Sequence, residues 1–269
     1  MRETVTHEVG VRTLSPGGPG APLVVFAHGL EDSWTSWLPV AGELDPAWRA
    51  LALELPWRPG NDYAWRGRSP GHWLARALDL VGEAPDALVA HSFGAGAALE
   101  LLCAGGPAPA ASAALVCPLY RMPSQPVGWH AFDRSRTTFM QHVRDSVRAG
   151  MGSRADTVDP AVLAAMMELA LDRVGPIAFL TVFEQFVASA ALRLENAAPP
   201  AIVLAGGADP TLSRRAAVAL AGAMPDARLV YDPGYDHFCH IRHAHRIAGL
   251  VADLVGTVRA ETRTAGNHR

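Results

Sequence analysis

The chain has 269 residues, 49% of them apolar and 18% charged, with a formal net charge of −3 and no lysine. That length accommodates one large domain or a core carrying an inserted subdomain. Scattered arginines on a mildly acidic chain exclude nucleic acid as the expected partner, because phosphate binding needs concentrated positive charge.

The N-terminal residues carry no apolar stretch of the signal-peptide kind, and no uninterrupted apolar run approaches the ~18 residues needed to span a bilayer. Cys103, Cys117 and Cys239 form neither an even framework nor a close metal-ligand pair. A reduced, cytoplasmic protein without a membrane partner is the expectation.

Residues 4–13 alternate polar and apolar until a Pro/Gly-rich turn, as an edge strand with one wet face does. Five continuous apolar runs follow: Leu23–Ala27, Ala50–Leu55, Ala87–Ala90, Ala113–Cys117 and Ala201–Ala205. Continuous rather than alternating runs suit strands covered by helices on both faces. A last strand is expected at Arg228–Tyr231. Helical patterns occupy Ser36–Leu44, Pro70–Gly82, Phe93–Ala104, Arg214–Met224 and Arg242–Val258, with a frayed polar tail after about Arg259. The alternation predicts a mostly parallel central sheet with right-handed crossovers, an α/β fold. It breaks between Tyr120 and Pro200, where three amphipathic segments (132–148, 160–174 and 176–189) replace any strand. This predicts an all-helical cap at 119–199 inserted into a core formed by 1–118 and 200–269.

Val89-Ala90-His91-Ser92-Phe93-Gly94-Ala95-Gly96 ends a strand and opens a helix, the pattern of a nucleophile elbow with Ala90 at the first glycine position. A serine on such a sharp turn needs small neighbours two residues away, which Ala90 and Gly94 supply. Read alone, the same residues describe a serine N-cap at a strand–helix junction. Earlier in the chain, Phe26-Ala27-His28-Gly29-Leu30 ends a strand and enters a loop. Beyond a later strand comes Gly206-Gly207-Ala208-Asp209, and beyond the last strand Gly234-Tyr235-Asp236-His237-Phe238.

These four segments, in this order, resemble the α/β-hydrolase superfamily. The resemblance implies Ser92 as nucleophile, Asp209 as acid and His237 as base, with the backbone N–H groups of Leu30 and Phe93 as the oxyanion hole and His28 holding the loop. Serine at the elbow argues against the dehalogenase and epoxide hydrolase branches, which use aspartate there. Asp236 and Asp232 are the weaker candidates for the acid. His240, His243 and His245 cluster without a convincing ligand set, so no metal is expected, and their default reading is solvated or capping. No cofactor is implied.

Candidate substrate contacts are Glu31, Trp34, Tyr120, Trp129 and Phe238. Trp37 reads as core, and the aromatic stretch Leu55–Trp73 as packing or an entrance. Phe132, Phe139, Phe179, Phe183 and Phe186 line a pocket or form the cap's own core. The expected activity is cleavage of a hydrophobic carboxylic ester, lactone or acyl thioester. A cyclase, acyltransferase or lyase on the same scaffold, or a non-catalytic small-molecule-binding protein, is the alternative. Either a monomer or a homodimer fits.

Overall fold

The structure is a computed structural model describing residues 9–266. Seven strands form one sheet: β1 (Gly10–Ser15), β2 (Leu23–Ala27), β3 (Arg49–Glu54), β4 (Ala87–His91), β5 (Ala113–Val116), β6 (Ala201–Gly206) and β7 (Ala227–Asp232). Their order is β1-β3-β2-β4-β5-β6-β7, and only β1 runs antiparallel to its neighbour. The wet edge strand expected at 4–13 appears as β1, although residues 4–8 lie outside the described residues.

Every residue of β2, β4, β5 and β6 is buried. The reason is coverage on both faces. Between the strands run α1 (Leu38–Glu43), α2 (Pro70–Asp79), α3 (Ser92–Cys103), α4 (Trp129–Met151), α5 (Pro160–Ala188) and α6 (Arg214–Ala223), and after β7 come α7 (Cys239–Arg242) and α8 (Ala244–Gly266). One face packs Leu53, Leu55, Leu88 and Leu115 against α2, α3 and α6. The other packs Val24, Phe26, Val89 and Leu204 against α1 and α8. Each fully buried large apolar side chain contributes about 2 kcal/mol, so the two cores together hold the sheet against its conformational entropy. The polar tail expected after Arg259 is instead helical, because α8 continues to Gly266.

Local chemistry sets several helix starts. Ser69 and Ser213 accept from the N–H groups of His72 and Ala216, and Asp159 caps Ala161 and Val162. Each side chain satisfies backbone donors that the first helical turn leaves without partners.

The chain leaves the sheet after β5 and returns at β6, and α4 and α5 fill the interval. Gly175, with φ +68°, interrupts α5 just before Pro176, so the two segments read from the sequence are two helical pieces. The insertion is docked by Gln185, which donates to the carbonyl of Phe93 at 3.1 Å and lies where any side chain at Gly96 would project. Its two stems are also tied to each other. The Arg121 N–H donates to Ser189 Oγ at 2.9 Å, and its guanidinium donates to the carbonyls of Val187 and Gln125.

Among the described residues one helix, Pro160–Ala191, is apolar and long enough by composition to cross a membrane, with mean hydropathy 1.4. Glu168, Asp172, Arg173 and Glu184 punctuate it, and the break at Gly175 divides it.

Candidate active site

The strand order reverses between β2 and β4, so the loops leaving their C-terminal ends lie side by side, where open parallel sheets place ligands. Ser92 sits at the turn from β4 into α3 with φ +52°, a conformation that costs a non-glycine residue of order 1–3 kcal/mol. Ala90 is accommodated as part of the buried core. Gly94 has a stricter reason: a Cβ there would collide with the carbonyl oxygen of His28 and lie 3.0 Å from that of Ala27. Its absence lets α3 pass directly over the end of β2. Gly29 makes the reciprocal approach, since a Cβ on it would come 3.4 Å from Ser92 Cβ.

The loop after β2 is fixed from below by His28. Its Nε2 accepts from the Leu55 N–H at 3.2 Å, so Nδ1–H donates to Gly29 O at 2.8 Å. Burial pulls this imidazole down to about 4, which keeps it neutral. Trp57 Nε1–H donates to His28 O, and the Glu31 N–H donates to Trp57 O. Glu31, also at positive φ, accepts from Tyr63 Oη–H at 2.6 Å and Asn61 Nδ2 at 2.9 Å. It ties the aromatic segment to the loop rather than standing solvated. Trp57 and Trp65 pack edge-on against Phe93 and belong to the core, while Pro59 of the same segment lines the cavity above Ser92.

Asp209 follows β6 and His237 follows β7, and the two loops meet. His237 Nδ1–H donates to Asp209 Oδ2 at 2.9 Å, leaving Nε2 as acceptor, 2.9 Å from Ser92 Oγ. Burial alone would push the Asp209 carboxyl up. His237, His142 and the Thr211 N–H outweigh it and hold the group well below the carboxylate range. Asp236 instead pairs with Arg242 at 2.8 Å, and Asp232 Oδ1 accepts from the Gly234 N–H. His91, inside the turn, donates Nε2–H to the carbonyl of His237 at 2.8 Å, which secures the His237 loop to the Ser92 turn.

The sequence profile of the alpha/beta hydrolase family matches residues 24–250. The chain belongs to that family. No curated protein sequence matches it. Among solved structures, the enol-lactonase from Burkholderia xenovorans LB400 is 20% identical with a TM-score of 0.63, covering 92% of this chain and 96% of that one. A membrane phospholipase A described as a bacterial virulence factor is 16% identical with a TM-score of 0.68, covering 94% and 87%. A haloalkane dehalogenase loop variant from Bradyrhizobium elkanii is 17% identical with a TM-score of 0.63, covering 96% and 100%. At these identities the likeness is one of fold.

In this member of the hydrolase family, Ser92 and His237 open onto a cavity of about 350 Å³ between the sheet and the insertion. Glu31, Tyr120 and Phe238 line it, as do Phe139, Phe183 and Phe186. Two expected contacts do not. Trp129, at the first turn of α4, is 81% exposed and packs only its edge on Phe132, because the cavity faces the opposite side of that helix. Trp34 packs beside Trp37 in the α1/α8 layer instead. Phe132 and Phe179 form the aromatic core of the insertion.

Three functional candidates escaped sequence reasoning. His142 projects from α4 into the cavity, one turn beyond Phe139 and one before Ser146, a spacing that reads only as one helix face. His240, expected to be solvated, is completely buried between Trp37 and His91. Asp32 lines the cavity and brings an oxygen within 4.8 Å of ring nitrogens of His91 and His240. Asp32 Oδ2, His91 Nδ1 and both ring nitrogens of His240 are buried without a protein hydrogen-bond partner.

Burial pushes Asp32 up to about 6, against the anion-stabilising Ser33 N–H and Ser36 hydroxyl. A carboxyl harder to ionise when folded penalises the native state above pH 6, and the penalty fades as the pH falls towards 4. Asp32→Asn should therefore stabilise the protein by about 2 kcal/mol at pH 8 and progressively less on acidification. Thermal unfolding across that range checks it, and a pH-independent gain would assign the effect to something other than the charge.

Proposed function

We propose that this chain is a serine hydrolase that cleaves a hydrophobic ester, lactone or acyl thioester through an acyl-enzyme on Ser92. The observation that carries the reading is the unbroken chain from Ser92 Oγ through His237 to Asp209, with both contacts at 2.9 Å, opening onto the cavity.

The tautomer is the one the chemistry needs. Ser92 Oγ attacks the acyl carbon while its proton moves to His237 Nε2, and Asp209 stabilises the imidazolium through Nδ1–H. The carbonyl oxygen becomes an oxyanion between the N–H groups of Leu30 and Phe93. The first turn of α3 leaves the Phe93 N–H without an intrahelical acceptor, and the close approach of Gly29 brings the Leu30 segment to the same side. The leaving group departs with the proton from His237. Water, deprotonated by the same imidazole, then releases the acyl group and restores Ser92.

Leu119, Val143, Val182, Phe139, Phe183 and Phe186 in the cavity suit an apolar acyl chain of moderate size. The insertion serves as the cap over it. The three free buried thiols suit a reducing cytoplasm.

The test is a fluorophosphonate probe followed by intact and peptide mass, beside a chain-length series of p-nitrophenyl esters. One probe per chain on the peptide carrying Ser92, with turnover of medium-length esters, is expected. An unlabelled, folded protein would overturn the reading.

A further inference from the structure

His142 is absent from the reaction just described, yet its ring lies nearer to that of His237 than those of His91 and Phe238 do. It reaches down from α4, and its ring lies 3.9 Å from that of His237 with only 7° between their planes. Its Nε2 stands 3.6 Å from Asp209 Oδ1, the oxygen His237 does not use. Thr211 presents its hydroxyl 3.3 Å from the ring nitrogens, while its N–H donates to the same Asp209 oxygen. One side chain of the insertion therefore touches base and acid together.

We propose that His142 is a positioning residue that holds the His237 imidazole in its working plane and makes the competence of the base depend on the seating of the insertion. This inference rests on the serine-hydrolase reading.

The two hydrogen bonds of His237 lie in its ring plane and restrain rotation within that plane. Neither resists tilting about the line joining them. A parallel ring stacked on one face does, and it also keeps water off that face when the imidazole becomes cationic. Burial, reinforced by His237, pulls His142 down to about 3 against the opposing pull of Asp209. It is thus a neutral π-face toward the imidazolium, a favourable arrangement, where a second cation would repel. Asp209 and His237 face it from the core, and Glu31, Asp32 and His91 line the same cavity. On α4, Asp145 accepts from Gln141, and Arg134 lines the cavity together with Arg173 of α5.

The test compares His142→Ala, which removes the ring, with His142→Phe, which keeps a flat partner and loses the nitrogens. For His142→Ala we expect kcat to fall about 10- to 100-fold with KM within about threefold, as misplacement of a reacting group by an ångström does. His142→Phe should recover kcat to within about threefold of the parent. Wild-type kcat in His142→Ala, a change in KM alone, or no recovery in His142→Phe would each overturn the proposal.

An imidazole NMR spectrum of 15N-histidine-labelled protein separates this from failure of the hydrolase reading. The His237 Nδ1–H signal should be sharp in the parent and His142→Phe but exchange-broadened in His142→Ala, whether or not esters are cleaved. An unaltered signal in His142→Ala overturns positioning. A protein that takes no fluorophosphonate yet shows the broadening overturns only the reaction.

Discussion

Ser92→Ala is expected to lower kcat on the best p-nitrophenyl ester by about 10⁵- to 10⁶-fold and to abolish fluorophosphonate labelling, with unfolding free energy changed by no more than about 1 kcal/mol. The effect on rate is large because the hydroxyl is the atom that forms the covalent bond, and base and acid have nothing to act on without it. Removing the serine or the histidine of such a unit costs nearly as much as removing all three members.

The effect on stability is small for a local reason. Ser92 holds φ +52°, and alanine is no better suited to that conformation, so the strain stays. His237 loses its bond to Oγ but keeps Asp209 on Nδ1 and His142 on its face. Turnover by Ser92→Ala at the parent rate would end the acyl-enzyme reading. Loss of turnover in an unfolded sample would show that the elbow serine has a structural duty instead.

The second large effect is predicted far from the nucleophile. Gly206→Ala should cost more than about 3 kcal/mol of stability, as forced overpacking against backbone does. A Cβ at Gly206 would fall on the carbonyl oxygen of Tyr235, which already accepts from the Ala208 N–H at 3.1 Å. Gly206 also pairs with Asp232 across β6 and β7. The added methyl group therefore separates two loops that are interlocked, one carrying Asp209 and the other His237. Urea unfolding reads the stability, and probe labelling of the remaining folded protein reads the displaced base. A variant as stable and reactive as the parent would mean that the Tyr235 carbonyl moves aside freely.

The core strands and the elbow were legible in the sequence because their constraints are local. A strand covered on both faces is apolar at every position, so β2, β4, β5 and β6 stand out as runs. The turn at Ser92 demands small residues at fixed offsets, and the loops bearing Asp209 and His237 announce themselves by glycines that permit close backbone approach. The Gly175-Pro176 break marked the division of α5 equally well.

Contacts made through space were not legible. His142, Asp32 and His240 acquire meaning only when α4, the loop after β2 and α7 converge, and nothing in a helical periodicity says which core residue a face will meet. Trp129 fails for the same reason in the opposite sense. A large aromatic at the start of an amphipathic helix looks like pocket lining until the helix is rotated into place, and here it faces outward.

The joined stems at Arg121, Val187 and Ser189 make the insertion a cassette. Because β5 and β6 run parallel, the segment leaves the sheet at the C-terminal end of one strand and re-enters at the N-terminal end of the other, and the clamp between Arg121 and Val187–Ser189 draws its two stems together into a neck. Exchange of everything distal to the neck would place a new segment over an unchanged Ser92, Asp209 and His237. Such a chimera would keep those three side chains and lose the ring stacked on His237, so a transplanted segment needs its own aromatic residue at the position of His142.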